Sequence, residues 1–246
     1  MLRQFGADLG FAPLVVGAAS VLYVLTLVAS GSELQVVGGG LSILAPSIRA
    51  LVLFGASGAV PVFAQGSWWT VLSATWLHGG LLHIVFNMMW VRDLGPATAD
   101  VVGPARTVVI YTVAGVCGFF LSSFAGTALR GLPIPLLHGA SFTIGASASI
   151  FGLLGALVHY GRKSGSSLIH AEAKRYAVIL FVFGLIMPGV DNYAHAGGFL
   201  GGYATSAFFN PMSRERGDHM LLAVGCLLAT LLAIIFSVLR GFSLYR

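Results

Sequence analysis

The sequence predicts an all-α, polytopic membrane protein, and three observations predict it. Of its 246 residues, 57% are hydrophobic and 9% are charged, where an average soluble domain carries about 25% charged residues; the mean hydropathy is +0.91. The apolar residues gather into seven runs, at 12–30, 77–95, 106–127, 145–162, 174–190, 192–210 and 219–240, each about as long as a bilayer requires once modest tilt is allowed. Thirty-three glycines show no Gly-x-y period, which points to close helix crossings and not to low complexity.

The run at 12–30 follows Arg3 and Asp8 and has the length of a membrane span, longer than a signal-peptide core. Residues 31–76 contain no unbroken span. They carry Pro46, Gly55, Gly58, Pro61 and Gly66 and end in Trp68-Trp69, an aromatic pair suited to headgroup depth, so this stretch is expected to lie in the interface as a partly inserted loop. Pro188 and Gly189 separate the fifth run from the sixth and leave Asp191 as a helix start.

The net charge is +5, but the basic residues are scattered between spans and form no dense run with interleaved aromatics. The charge therefore reports topology and not a nucleic-acid partner. With the N-terminus inside, Arg3, Arg92, Arg106, Arg162, Lys163, Lys174, Arg175, Arg214 and Arg216 fall on the inner side, nine of the 13 basic residues, and Arg49, Arg130, Arg240 and Arg246 on the outer. This asymmetry places the N-terminus and the 163–173 loop in the cytoplasm and the C-terminus outside. Cys117 and Cys226 sit mid-span without CxxC or metal-ligand spacing and are read as packing residues. No metal or cofactor site is expected.

In this orientation the second, fourth and sixth spans begin at the outer face, and their first turns carry His78 and His83, Ser147, and His195. Polar groups within spans are costly and mark functional sites. Ser147 opens an apolar run among small neighbours, Gly145-Ala146-Ser147-Ala148, which leave room for a substrate carbonyl. Gly-Ala-Ser also occurs at 55–57 and 139–141, but Ser57 meets Pro61 within a turn and Ser141 sits in a loop after Pro135 and His138. The base for Ser147 is His195. Gly197, Gly198, Gly201 and Gly202 on its span, and Gly145, Ala148, Gly152 and Gly155 on the serine's, allow the two backbones to approach. Asp191 either completes a triad or caps the sixth span. His83 and Asn87, four apart, share a helical face and can donate two hydrogen bonds toward a developing oxyanion, or else hold helices together. His138, His159, His170 and His219 have no partners at metal-ligand spacing and receive no role.

Three motifs in order, His78-x4-His83-x3-Asn87, Gly145-x-Ser147 with Phe151 and Gly152, and Ala194-His195-x-Gly197-Gly198, give the sequence a resemblance to the rhomboid intramembrane serine proteases over roughly residues 55 to 205. The resemblance implies a single domain over 1–246, with a rhomboid-like six-helix core, about 55–210, plus one C-terminal transmembrane helix at about 219–240. It implies a Ser147–His195 dyad without an acid, and an oxyanion hole lined by His83, Asn87 and the Ser147 amide. Phe151 would support the imidazole, and His78 the first loop. The implied substrates are single-span membrane proteins cut near the outer face of a plasma or bacterial inner membrane, with no cofactor. Two positions depart from the family: Ala148 follows the serine where glycine is frequent, and Thr70 follows Trp69 where arginine is common, which bears on how the first loop is anchored. Competing readings are a catalytically inactive rhomboid-like protein that binds membrane clients and a transporter. The transporter would need internal repeats and midplane charges that the sequence lacks.

Overall fold

A computed structural model describes residues 10–36, 43–132 and 138–244. Arg3, Asp8, Pro135 and Arg246 lie outside them. Seven long helices run through the described residues: α1 (Phe11–Ser30), α4 (Leu81–Val102), α5 (Pro104–Ala128), α6 (Ser147–Ser164), α7 (Ser167–Ile186), α8 (Asn192–Phe209) and α9 (Gly217–Leu244). Two short ones, α2 (Ile48–Leu53) and α3 (Thr70–Ser73), lie between α1 and α4. Among the described residues, extended pairing is limited to isolated bridges, Gln35 with Ala45 and Ser57 with Thr143. The all-α membrane architecture read from the sequence is the one observed.

Three segments, Phe11–Glu33, Pro104–Ala128 and Gly217–Gly241, are long and apolar enough to cross a bilayer by length and composition alone. The other long helices are diluted by glycine, histidine or charge. α6 shows why this is tolerated. It packs against α4, α5, α7 and α8, and Leu153, Leu154 and Ala156 are wholly buried, so protein and not lipid surrounds much of it.

Local chemistry sets the boundaries. α6 ends at Gly165 in the left-handed region, φ 76°, with Arg162 and Lys163 in its last turn, where cations favour the helix dipole. The Ser166 side chain caps α7 by accepting from Ile169 N–H. Asp191 caps α8, accepting from Ala194 N–H at 3.0 Å. Pro104 sits in the first turn of α5, where its missing N–H costs nothing.

Several expectations are corrected. The second span starts at Leu81, not 77, because Gly79 and Gly80 precede the helix, so His78 lies before α4 and not in its first turn. α4 continues to Val102, past the expected end at 95, and carries the exposed Arg92 and Asp93 pair at 2.9 Å. α7 begins at Ser167, which makes most of the 163–173 loop helical. Within the stretch expected to be a partly inserted loop, residues 43–76 carry local order that the sequence did not show: they fold into α2, a π-helical turn at Val60–Ala64 and α3, and Ser57, Ser73 and Ala74 are wholly buried. Of the tryptophan pair, Trp68 is 68% exposed but Trp69 only 9%, since its indole packs edge-on against Phe236 of α9.

The facing glycines divide their work. Side chains added at Gly198 and Gly202 would strike the α6 backbone at Ala148 and Gly152, whereas Gly197 and Gly201 face Cys117 and its neighbours on α5. Residues i and i+4 share a helical face while i+1 is rotated about 100°. The two pairs therefore seat α8 against two helices at once, and not against α6 alone.

Candidate active site

Ser147 is the first residue of α6 and is half-buried. A residue there has its N–H among the donors of a helix start that no intrahelical carbonyl can satisfy, so hydroxyl and amide are presented together. His195 stands in the first turn of α8, 5% exposed. Its Nε2 lies 3.0 Å from Ser147 Oγ. Phe151, one turn along α6 from Ser147, stacks on the imidazole with centroids 4.2 Å apart and planes 16° from parallel. The stack fixes the plane of the ring, and the close α6–α8 approach fixes its depth.

His195 Nδ1 has no hydrogen-bond partner among the described residues. The carboxylate of Asp191 is engaged elsewhere: one oxygen accepts from Ala194 N–H, the other from Ser122 Oγ–H at 2.5 Å. Between triad member and cap, Asp191 is the cap. Ser122, wholly buried in α5, had no place in the sequence reading. A lone serine in an apolar run gives little signal, yet it joins Asp191 to the loop before Ser147, because its hydroxyl also accepts from Ala140 N–H at 3.4 Å.

His83 enters from α4. Its Nδ1 accepts from Gly79 N–H at 3.2 Å, which leaves Nε2 as the protonated, donating nitrogen. That nitrogen lies beside the stretch that leads into Ser147: a Cβ on Gly145 would lie 2.7 Å from it, and Gly145 has φ +120°. Position 145 thus admits no side chain on two counts, its backbone conformation and the imidazole beside it. Asn87, 6% exposed, donates one amide N–H to His83 O at 2.8 Å, which leaves its second N–H for another acceptor. His78 is wholly buried and meets the His83 ring edge-on at 5.2 Å. The fold therefore gathers His78, His83, Phe151, Ser147 and His195 at one end of the bundle, with Asn87 one turn beyond His83.

The two remaining Gly-Ala-Ser stretches are structural and pair with each other. Ser57 and Thr143 exchange backbone hydrogen bonds of 3.1 and 2.8 Å, and Val60 N–H reaches Ser141 O at 3.2 Å. His138, His159, His170 and His219 lie apart from the site, bonded to Leu132 O, Ser206, Val158 O and Arg106 respectively. Among the described residues, no three His, Cys, Asp or Glu side chains gather as a metal site.

Residues 65–212 match the rhomboid domain. The chain is 32% identical over 180 residues to the rhomboid protease GluP of Bacillus subtilis, covering 72% of this chain and 33% of that protein. It is 31% identical over 168 residues to RHOMBOID-like protein 7 of Arabidopsis thaliana, covering 65% of this chain and 49% of that protein. It is also 31% identical over 137 residues to the inactive RHOMBOID-like protein 8 of the same plant, covering 54% of this chain and 35% of that protein. The chain thus spans a third to a half of the length of these relatives. The matched domain takes in more than half of the chain and the residues gathered around Ser147, namely His78, His83, Asn87, Phe151 and His195; this membrane protein belongs to the rhomboid family.

Proposed function

We propose that the chain is an intramembrane serine endopeptidase that cleaves single-span membrane proteins with a Ser147–His195 dyad. One observation carries this reading: the 3.0 Å contact between Ser147 Oγ and His195 Nε2, made by a ring stacked on Phe151 and by a serine at a helix start. Ser147 Oγ attacks the scissile carbonyl carbon, and His195 Nε2 takes its proton. The carbonyl oxygen becomes an oxyanion, to which the Ser147 N–H, His83 Nε2–H and the second N–H of Asn87 donate. Collapse expels the amine, which carries away the proton from His195 and leaves an ester on Ser147. Water, deprotonated by His195, then hydrolyses the ester and restores the serine.

The family also contains an inactive member similar to this chain, so a client-binding protein without proteolysis is the competing reading. It has no need of serine, base and oxyanion donors together. Incubating the purified chain with a panel of single-span substrates, beside Ser147→Ala, separates the two. Cleavage lost in the variant supports the protease, and substrate retention without cleavage by the wild type supports the binder. The distribution of basic residues further supports a plasma or bacterial inner membrane location with the N-terminus cytoplasmic and the cleavage site near the extracytoplasmic face. A reporter fused at Arg246 should read extracytoplasmic, and a cytoplasmic reading would reverse the orientation.

A further inference from the structure

α9 lies beyond the residues that match the family domain, yet its last turns are bonded to the first loop, the stretch between α1 and α4 that carries α2 and α3. Arg240 Nη1 donates to Ser67 Oγ at 3.0 Å and Nη2 to Gln65 O at 2.9 Å, while the guanidinium carbon sits 5.1 Å from the centroid of the Trp69 ring. Trp69 Nε1–H donates to Ser237 Oγ at 3.0 Å, and Ser237 in turn donates to Ala233 O at 2.9 Å. A charge near the end of an apolar helix commonly snorkels to water without fixed partners. Arg240 instead has two oxygen acceptors and an aromatic face, a geometry that a planar fork meets and an ammonium cannot.

From Trp69 the connections continue to the serine. Thr70 Oγ1 donates to Ser67 O at 2.7 Å and lies 3.4 Å from Ser57 Oγ, and Ser73 Oγ donates to Gly55 O at 2.7 Å. Gly55, φ +98°, lies so close to α9 that a Cβ there would fall 2.6 Å from Ser237 Oγ. The 55–60 stretch then holds the segment before α6: Ser57 with Thr143, Ala59 N–H to Ala140 O at 3.0 Å, and Val60 N–H to Ser141 O. Ala74 O accepts from Gly145 N–H at 2.9 Å, two residues before Ser147.

We infer that Arg240 and Ser237 are positioning residues: α9 fixes the first loop, and the first loop fixes the 139–146 segment that sets the placement of the Ser147 hydroxyl and amide. The inference rests on the protease reading for its catalytic consequence, but the mechanical coupling does not depend on it. It also accounts for Thr70, since the cation on Trp69 comes from α9 and not from the next residue in the chain.

The test combines hydrogen exchange with labelling on the full chain in detergent, comparing wild type, Arg240→Ala, Arg240→Lys, Ser237→Ala and, as a charge control at the opposite end, Arg162→Ala. In Arg240→Ala the amides of Ser57, Ala59, Val60, Thr143 and Gly145 should exchange about tenfold faster, as expected from losing a charged hydrogen-bond anchor, with the 104–114 stretch of α5 unchanged. Arg240→Lys should fall between, Ser237→Ala should follow Arg240→Ala, and Arg162→Ala should match wild type. The rate of fluorophosphonate labelling and kcat should drop in parallel with KM little changed. Unchanged exchange at 139–146 in Arg240→Ala overturns the coupling, whether or not the chain is active. Faster exchange with unaltered labelling confines α9 to stability and overturns the positioning role. A wild-type chain that neither labels nor cleaves defeats the protease reading instead, and the exchange result still decides the coupling.

Discussion

Two serine–histidine pairs bridge the same two helices at the same distance. Ser147 of α6 meets His195 of α8 at 3.0 Å, and about 17 Å further along the helices His159 of α6 meets Ser206 of α8, also at 3.0 Å. Their surroundings differ in three ways. Ser147 opens its helix and is half-buried, whereas Ser206 lies well inside α8, 1% exposed, with its N–H committed to the helix. The His195 ring is stacked flat on Phe151, whereas the His159 ring meets Tyr203 edge-on at 5.1 Å. A third helix brings His83 and Asn87 to the first pair, whereas the second has Arg162, whose guanidinium reaches Tyr203 Oη at 3.5 Å. A hydrogen-bonded serine and histidine are thus a common way to satisfy polar groups between helices. What would suit the first pair to the proposed acyl transfer is a backbone donor at a helix start, the imidazole oriented by a neighbouring ring, and the polar face opposite.

The largest expected effect comes from breaking each pair in turn. Ser147→Ala and His195→Ala should each reduce substrate cleavage to background while the protein remains folded, because the nucleophile and its base act as a unit. Ser206→Ala and His159→Ala should leave turnover within about twofold and register in thermal stability instead, as glue residues do. Loss of cleavage in folded Ser206→Ala would erase the distinction between the pairs.

The next effect concerns the donors that only the first pair possesses. Asn87→Ala should lower kcat by about 10²–10³-fold with KM nearly unchanged, since the bond to the oxyanion strengthens as charge develops. In the structure Asn87 also ties itself to His83 O, so the melting temperature has to be measured on the same sample. Normal turnover in a destabilised Asn87→Ala protein would remove Asn87 from the oxyanion hole and leave the dyad standing. Asp191→Asn should do least. The amide oxygen still accepts from Ala194 N–H, and the weakened bond to Ser122 should cost about 1 kcal/mol of stability with activity within a few-fold. A loss as deep as that of His195→Ala, at normal stability, would make Asp191 a third catalytic residue.

The first pair was legible in the sequence because its chemistry has local markers. A serine between Gly145 and a full apolar run, a histidine followed by Gly197 and Gly198, and His83 and Asn87 one turn apart all depend on neighbours within a few residues. The second pair left no such marker: His159 received no role, and Ser206 is one of many serines, because nothing in the chain near either one shows that α6 and α8 bring them together. The same limit hid Ser122 and Arg240, whose partners lie 69 residues away at Asp191 and 173 away at Ser67. It also kept the packing around residues 43–76 out of view. Prolines and glycines there spell out turns, but whether a turn-rich stretch is exposed or enclosed depends on what packs over it, and here that is α9. The seven helices came through because span length and apolarity are properties of each segment alone, while their ends shifted by several residues where glycines delay α4 and Ser166 starts α7 early.

The central claim is that Ser147, and not Ser206 or another serine, is the activated nucleophile. Treating the folded wild-type chain with a fluorophosphonate and mapping the adduct by peptide mass tests it most directly. The account predicts a single adduct on Ser147 that disappears in Ser147→Ala and in His195→Ala and persists in Ser206→Ala. An adduct on Ser206 or any other serine, or labelling that survives in Ser147→Ala, would contradict it.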